Sequence, residues 1–259
     1  MKIDDCQISH ILSRRKALAI FRAAGAAILV VGCIPRKARS TQAESSVAVP
    51  ASSLANSGTL PACVVTPEQT EGPYFVDEKL NRSDIRSDPA VGSMKDGVAL
   101  QLTLRVSQVG STGCTPRAGA IVDIWHCDAL GIYSDVADPS FSTVGKKFLR
   151  GYQVTDANGT VQFTTIYPGW YQGRTVHIHF KVRTDTPSTQ SYEFTSQLYF
   201  DDSITDQVHT QTPYASKGQR KLKNAGDGIF QDGGDQMLLK LTKTSLGYAA
   251  TFDIGLQMA

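Results

Sequence analysis

In the stretch 98–109, VALQLTLRVSQV, every second position as far as 106 is apolar: Val98, Leu100, Leu102, Leu104 and Val106. A two-residue period of this kind predicts a strand with one buried face. Residues 120–127 (AIVDIWHC), 176–182 (VHIHFKV) and 195–200 (TSQLYF) are shorter runs rich in β-branched and aromatic residues and predict further strands. Asp156-Ala-Asn-Gly159 predicts a turn between short strands carrying Val154 on one side and Val161 and Phe163 on the other. Residues 237–244 and 248–256 predict a closing hairpin around Leu246-Gly247. No stretch of the folded part carries a long, capped helical period, and 206–223 has room only for a short helix or two. Many short strands punctuated by Gly, Pro and Asn predict an all-β, single-domain β-sandwich with few short helices.

The N-terminal pattern is different. Residues 13–33, SRRKALAIFRAAGAAILVVGC, open with paired Arg14 and Arg15 and continue into an apolar run over 23–31. That run is too short for a membrane-spanning helix and reads as the core of an export signal of twin-arginine type. Val30-Val31-Gly32-Cys33 resembles a lipobox, in which Cys33 would carry the lipid and form the only membrane attachment. Residues 34–60 are rich in Ser and Ala without a period and read as a flexible linker, which places the folded domain at 61–259. The expected location is the periplasm or cell envelope.

Export changes the charge balance. Residues 1–40 hold eight of the 26 basic and two of the 24 acidic residues, so 41–259 carries a net charge of about −4 rather than the +2 of the whole chain. This is no nucleic-acid footprint. Three cysteines stay with the domain, Cys63, Cys114 and Cys127, and an oxidising compartment permits a disulfide. Cys114 and Cys127 flank the strand predicted at 120–127, which holds them apart. Cys63–Cys114 is the preferred pairing, with three free buried thiols as the alternative.

Two of five histidines, His177 and His179, are separated by one residue on a predicted strand, and so share a face. Such a pair either closes on a metal ion or decorates a polar strand face. Tyr171 stands six residues before His177 after a Pro168-Gly169 turn, and Tyr133 follows the 120–127 strand in WHCDALGIYSDV. Two histidines with two phenols make a donor set suited to a hard trivalent cation. Each tyrosine alone, Tyr133 above all, also reads as a core residue with its hydroxyl at the rim. His126 reads as a hydrogen-bonded structural residue, His209 as a surface residue, and Asp201 and Asp202 as turn formers.

The segments TPEQTEGPYF (66–75), VDIWHCDALGIYSDV (122–136), GYQVTDANGTVQFTTIYPGWYQGRTVHIHF (151–180) and TSQLYFDD (195–202) resemble the intradiol ring-cleavage dioxygenases, the family of protocatechuate 3,4-dioxygenase and catechol 1,2-dioxygenase. The resemblance runs from about residue 63 to 235, and is to an exported, single-domain branch. It implies one non-haem Fe(III) held by Tyr133, Tyr171, His177 and His179. It implies that Tyr171 leaves when substrate arrives and acts as a base, that Arg174 stabilises charge developing on the ring, and that Gln197 stands beside them. Tyr74 would line the substrate pocket. The implied reaction takes a small aromatic diol and O2 and cleaves the ring between the two hydroxyl-bearing carbons to a cis,cis-muconate-type diacid. Two other readings compete. A cupin also uses H-x-H on a strand, but needs a glutamate that HIHFKVRTDT lacks. A non-catalytic envelope binding module of the same fold would have no need of both tyrosines. The sequence leaves the particular catechol and the oligomeric state open.

Overall fold

The alternating run becomes strand β1 (Ala99–Gly110), in which Leu100, Leu102, Leu104 and Val106 are buried while Gln101 and Arg105 face solvent. Burying each such aliphatic side chain is worth about 1.5–3 kcal/mol, so this face is the natural floor of a core. The computed structural model describes residues 64–184 and 192–258. The expected export signal (1–33) and linker (34–60), together with Cys63, lie outside the described residues.

Two sheets enclose the core. In the first, β1 pairs in parallel along β11 (Gly247–Leu256). The other edge of β1 is shared by β7 (Thr160–Ile166) and β2 (Gly113–Pro116), both antiparallel, and β10 (Thr242–Lys243) borders β11. The second sheet is antiparallel in the order β6 (Arg150–Val154), β3 (Ile121–Trp125), β8 (His177–Thr184) and β9 (Tyr192–Tyr199). A small pair, β4 (Ala137–Asp138) and β5 (Phe141–Ser142), lies outside both. This is the β-sandwich the pattern predicts.

Two expectations change and a third gains detail. The 237–244 segment is not a long hairpin arm: only β10 pairs with β11, while Met237 is buried from a 3-10 turn (Gly234–Met237), Leu239 from irregular backbone, and Leu238 bridges to Tyr199. The 156–159 turn does join two short strands as expected, β6 ending at Val154 and β7 holding Val161 and Phe163, but they lie in different sheets, since β6 pairs with β3 and β7 with β1. Asp201 and Asp202 start a helix, α1 (Asp202–Val208), where the Asp201 carboxylate accepts the amides of Ser203 and Ile204. The helix therefore begins four residues before the expected 206.

The second sheet is covered on both faces, which positions the site. On β3, Val122 and Ile124 point into the sandwich core, and Asp123 and Trp125 point outward. On β8, Ile178, Phe180 and Val182 join that core, so His177 and His179 belong to the outward face. Strand register sets Trp125 beside His179 and His179 beside Gln197, one row across three strands, with His177 beside Tyr199.

The arm at 66–75 is laid over this outward face. Its backbone bonds to Thr195 through Gln69 and to Gly255 through Thr66, so it covers the β9 edge. It also carries Tyr74 and Phe75 onto the outward cluster formed by Trp125, Cys127 and Tyr133.

Candidate metal centre

Two loops bring the tyrosines to the histidines, and two glycines let the loops touch. The loop after β3 carries Tyr133. Asp128 folds it by accepting the amides of Leu130 and Ile132, each at 3.0 Å, while Lys95 pairs with the other carboxylate oxygen at 2.8 Å. The loop after β7 carries Tyr171. A Cβ at Gly131 would fall 2.1 Å from the Trp170 carbonyl oxygen, and one at Gly169 would fall 2.3 Å from that of Ala129. Both positions therefore need glycine for close backbone approach, and Gly131 also adopts φ +80°. Arg150, buried, bonds to Ser134 through its Nε at 2.8 Å and fixes the chain just past Tyr133.

Four heteroatoms then converge. The Tyr133 hydroxyl lies 3.4 Å, the Tyr171 hydroxyl 3.3 Å and the His179 Nε2 2.9 Å from His177 Nε2. His177 Nδ1 lies 2.7 Å from the Thr175 carbonyl oxygen, which can only accept, so Nδ1 carries the proton and Nε2 presents a lone pair. Three groups crowd that one lone pair, more than it can satisfy as a hydrogen-bond acceptor. His179 Nδ1 is buried without a partner. Convergence of two imidazole nitrogens and two phenol oxygens on one point is the arrangement of a ligand set, and hard phenolate donors fit a ferric ion. Among the described residues no three His, Cys, Asp or Glu side chains gather at one point. The phenols complete this set.

The electrostatics point the same way. Burial, reinforced by the Arg174 guanidinium, lowers the His177 pKa to about 3, and burial with the neighbouring His177 holds His179 well below the usual range. Both are neutral and able to ligate. Burial raises both phenols well above 10, so only a bound cation would make them phenolates. Tyr133 is 1% exposed, whereas Tyr171 borders open cavities on two sides. Trp125 stacks flat on His179, with centroids 4.9 Å apart and planes 4° apart, and shields it from water.

Arg174 stands beside the cluster in a fixed pose. Its Nε donates to Asp227 at 2.8 Å and its terminal nitrogen to Gln197 Oε1 at 2.6 Å. Gln197 is fully buried and donates in turn to the Thr70 carbonyl. The Asp227 oxygen that holds Arg174 also accepts the Thr175 amide at 2.8 Å, and its other oxygen accepts those of Ile229 and Phe230. Tyr74 stacks on Tyr133 at 4.6 Å and donates to Asp138 at 2.8 Å. It lines a cavity of about 180 Å³ with Tyr133 and Tyr171. Glu71, from the same arm, pairs with Lys181 at the margin.

The structure thus brings Tyr133, Tyr171, His177, His179, Arg174, Gln197 and Tyr74 to one place. Cys114 is disulfide-bonded, while Cys63, its expected partner, lies outside the described residues, and Cys127 is a free buried thiol. His126 is buried between the Cys127 carbonyl and the Thr165 hydroxyl, a structural position. His209 corrects an expectation: it is fully buried, stacked on Tyr214 and bonded to the Pro168 carbonyl, and so supports the Tyr171 loop from behind. Sequence reasoning missed Asp227, Asn224 and Gln69. Asn224 accepts the Thr175 hydroxyl at 2.6 Å, and Gln69 accepts that of Tyr199 at 2.8 Å. The glycine-rich run holding Asp227 reads as turns, and no local pattern ties it to a histidine pair fifty residues away.

A family model described as dioxygenase matches residues 70–222. The structure resembles an intradiol ring-cleavage dioxygenase from Tetranychus urticae, 33% identical over 75% of this chain and 94% of that one, with a TM-score of 0.63. It also resembles the dioxygenase domain of a carbohydrate-binding fusion protein from Streptomyces sp. SirexAA-E, 29% identical over 76% of this chain and all of that one, with a TM-score of 0.52. Chlorocatechol 1,2-dioxygenase of Pseudomonas putida is 33% identical over 116 residues, 37% of this chain and 42% of that enzyme. The chain spans about half the length of the curated relatives it matches.

Proposed function

Because the chain belongs to the intradiol ring-cleavage dioxygenase family, we propose that it cleaves a catechol with O2 between the two hydroxyl-bearing carbons, giving a cis,cis-muconate-type diacid. The observation that carries this is the convergence of Tyr133, Tyr171 and His179 on His177 Nε2. These four side chains would hold a non-haem Fe(III). When bound, the ferric ion would draw electron density from a coordinated catechol and open its ring to O2.

The chain's own residues supply the rest. Tyr133, buried and stacked against Tyr74, keeps its place through the cycle. Tyr171 borders solvent-accessible cavities and has room to swing aside, taking a substrate proton onto its phenol oxygen as it does so. Arg174 cannot follow it, because Asp227 and Gln197 hold its guanidinium from two directions. It stands preorganised to stabilise negative charge that develops on the ring. Trp125, Tyr74 and the 66–75 arm keep bulk water from the buried side.

Export to the cell envelope is part of the same proposal, on the strength of Arg14, Arg15 and the apolar run over 23–31. The test of the activity is oxygen uptake by the iron-loaded protein over a panel of catechols, with the diacid identified by mass. Uptake equimolar with diacid is expected. Ring-cleaved aldehydes instead of diacids, or no product from any catechol, would overturn the reading.

A further inference from the structure

The cavity of about 180 Å³ in front of the two tyrosines has one formal charge in its wall, and that charge is negative. Asp138 stands at the mouth with Ser140 and Phe141, on the β4–β5 pair that the sandwich itself does not require. Tyr74, whose ring covers Tyr133, donates its hydroxyl to Asp138 Oδ2 at 2.8 Å. The other oxygen, Oδ1, accepts the Ser140 amide at 2.9 Å and the Ser140 hydroxyl at 2.6 Å. Every one of these partners is a neutral donor. They fix the carboxylate in place and favour its ionised form without cancelling its charge. An adjoining surface depression shares Tyr74 and Asp138 and adds Asp135. The approach past Tyr74 is therefore anionic.

On the far side of Tyr171 the balance differs. That larger cavity, about 460 Å³, is bordered by Arg174, Arg220 and Lys221. Two of the three are committed: Arg174 to Asp227, and Arg220 to Asp202 and Asp206. Lys221 is solvent-exposed. Behind the stacked Tyr74–Tyr133 pair the buried Arg150 is spent on the Tyr74 and Ser134 carbonyls, and the charge that meets Tyr74 on the cavity side is that of Asp138.

We infer that Asp138 is a specificity-determining residue which selects catechols with a neutral or cationic ring substituent and turns away those bearing a carboxylate. The inference rests on the proposed ring-cleavage activity and names its substrate class. The physical reason is like-charge repulsion in a partly enclosed site. A substrate carboxylate entering past Asp138 would lose water and meet a fixed anion, whereas an aminoalkyl group would gain an ion pair.

The test compares three catechols in the iron-loaded protein: 4-methylcatechol, 3,4-dihydroxybenzoate and 4-(2-aminoethyl)catechol. The readout is the ratio of kcat/KM for each charged substrate to that for 4-methylcatechol, taken within one variant so that changes in overall rate cancel. Asp138→Asn should raise the carboxylate ratio and lower the amine ratio, each by at least about threefold, with smaller changes at high salt. Tyr74→Phe keeps the charge and removes the hydrogen bond, and should leave both ratios near their native values. A native preference for the carboxylate, ratios that ignore Asp138→Asn, or equal shifts in Tyr74→Phe would each overturn the inference. If no catechol is turned over, the activity reading fails instead. Anaerobic calorimetric titration of the same three catechols then reads the charge preference as a ratio of Kd values, with the same two variants deciding it.

Discussion

The Thr175 carbonyl oxygen accepts the Nδ1 proton of His177 at 2.7 Å, and Thr175 is itself held by Asp227 through its amide and by Asn224 through its hydroxyl. The tautomer of one candidate ligand is thus set by a chain of buried contacts that reaches the 224–227 segment. A neutral, pre-aimed imidazole is what a metal ligand needs.

The iron-loaded protein is expected to be coloured by phenolate-to-Fe(III) charge transfer, because both phenols sit within 3.4 Å of the same imidazole nitrogen. Tyr133→Phe should weaken the visible band and reduce the metal content. His177→Ala and His179→Ala should lose iron altogether while keeping a native far-ultraviolet spectrum. A stoichiometrically iron-loaded sample without a visible band would contradict the ligand set.

Arg174→Ala should retain iron and colour and still bind catechol, yet turn over about a hundredfold more slowly, since it removes a donor that matters more in the transition state than in the ground state. Asp227→Asn should act on the same step through Arg174 and therefore lower kcat more than it raises KM. Near-native turnover by Arg174→Ala with intact iron would return this arginine to a structural salt bridge.

Acid should weaken the metal-free fold at a predictable pH. Burial lowers the His126 pKa to about 4 against an ordinary 6.5, and His177 shifts in the same direction. The unfolded chain therefore takes up protons first. The contribution is complete above pH 6.5 and is lost as the pH falls toward about 4. For a domain of this size each kcal/mol lost lowers Tm by about 2–4 °C. A Tm flat between pH 7 and 4.5 would show that these imidazoles are not buried in the neutral form.

Replacing both Arg14 and Arg15 with Lys should trap precursor in the cytoplasm if the twin-arginine route is used, as fractionation and blotting would show. Cys33→Ser should release the protein from membranes if Cys33 carries lipid. Normal export of the double variant would point to the general secretory route.

Peptide mapping without reduction should recover Cys114 joined to Cys63. A bridge across this loop of about fifty residues is worth about 4 kcal/mol in the chain-entropy account, so reduction should lower Tm visibly. Recovery of Cys127 in the bridge would contradict its place as a free buried thiol.

The strands that carry the site were legible because their pattern is local. Alternation in β1 and the H-x-H pair in β8 each lie within one strand, and side-chain period alone assigns their faces. Where reading from sequence failed, the cause was long-range. His209 sits among polar residues, yet its ring is enclosed by Tyr214, Tyr167 and the Pro168 carbonyl, none of them nearby in the chain except Tyr214. Met237 and Leu239 look like strand residues because they are apolar, but they fill the core from a 3-10 turn and the backbone just after it. Asp227 carries no periodic or motif signal at all. Its role appears only when the fold sets it under Arg174 and Thr175.

The parallel pairing of β1 with β11 joins positions separated by roughly 150 residues, from Ala99 with Gly247 to Gln108 with Leu256. The first long strand of the sandwich therefore has no partner on that edge until residues 247–256 have been made. Such distant pairings are slow to form and leave an open edge exposed meanwhile. Closure of the sandwich consequently waits on β11. A chain that stalls or is cut before residue 247 would keep β1 available to another molecule, making the ten-residue β11 the step that separates a closed sandwich from an aggregating fragment.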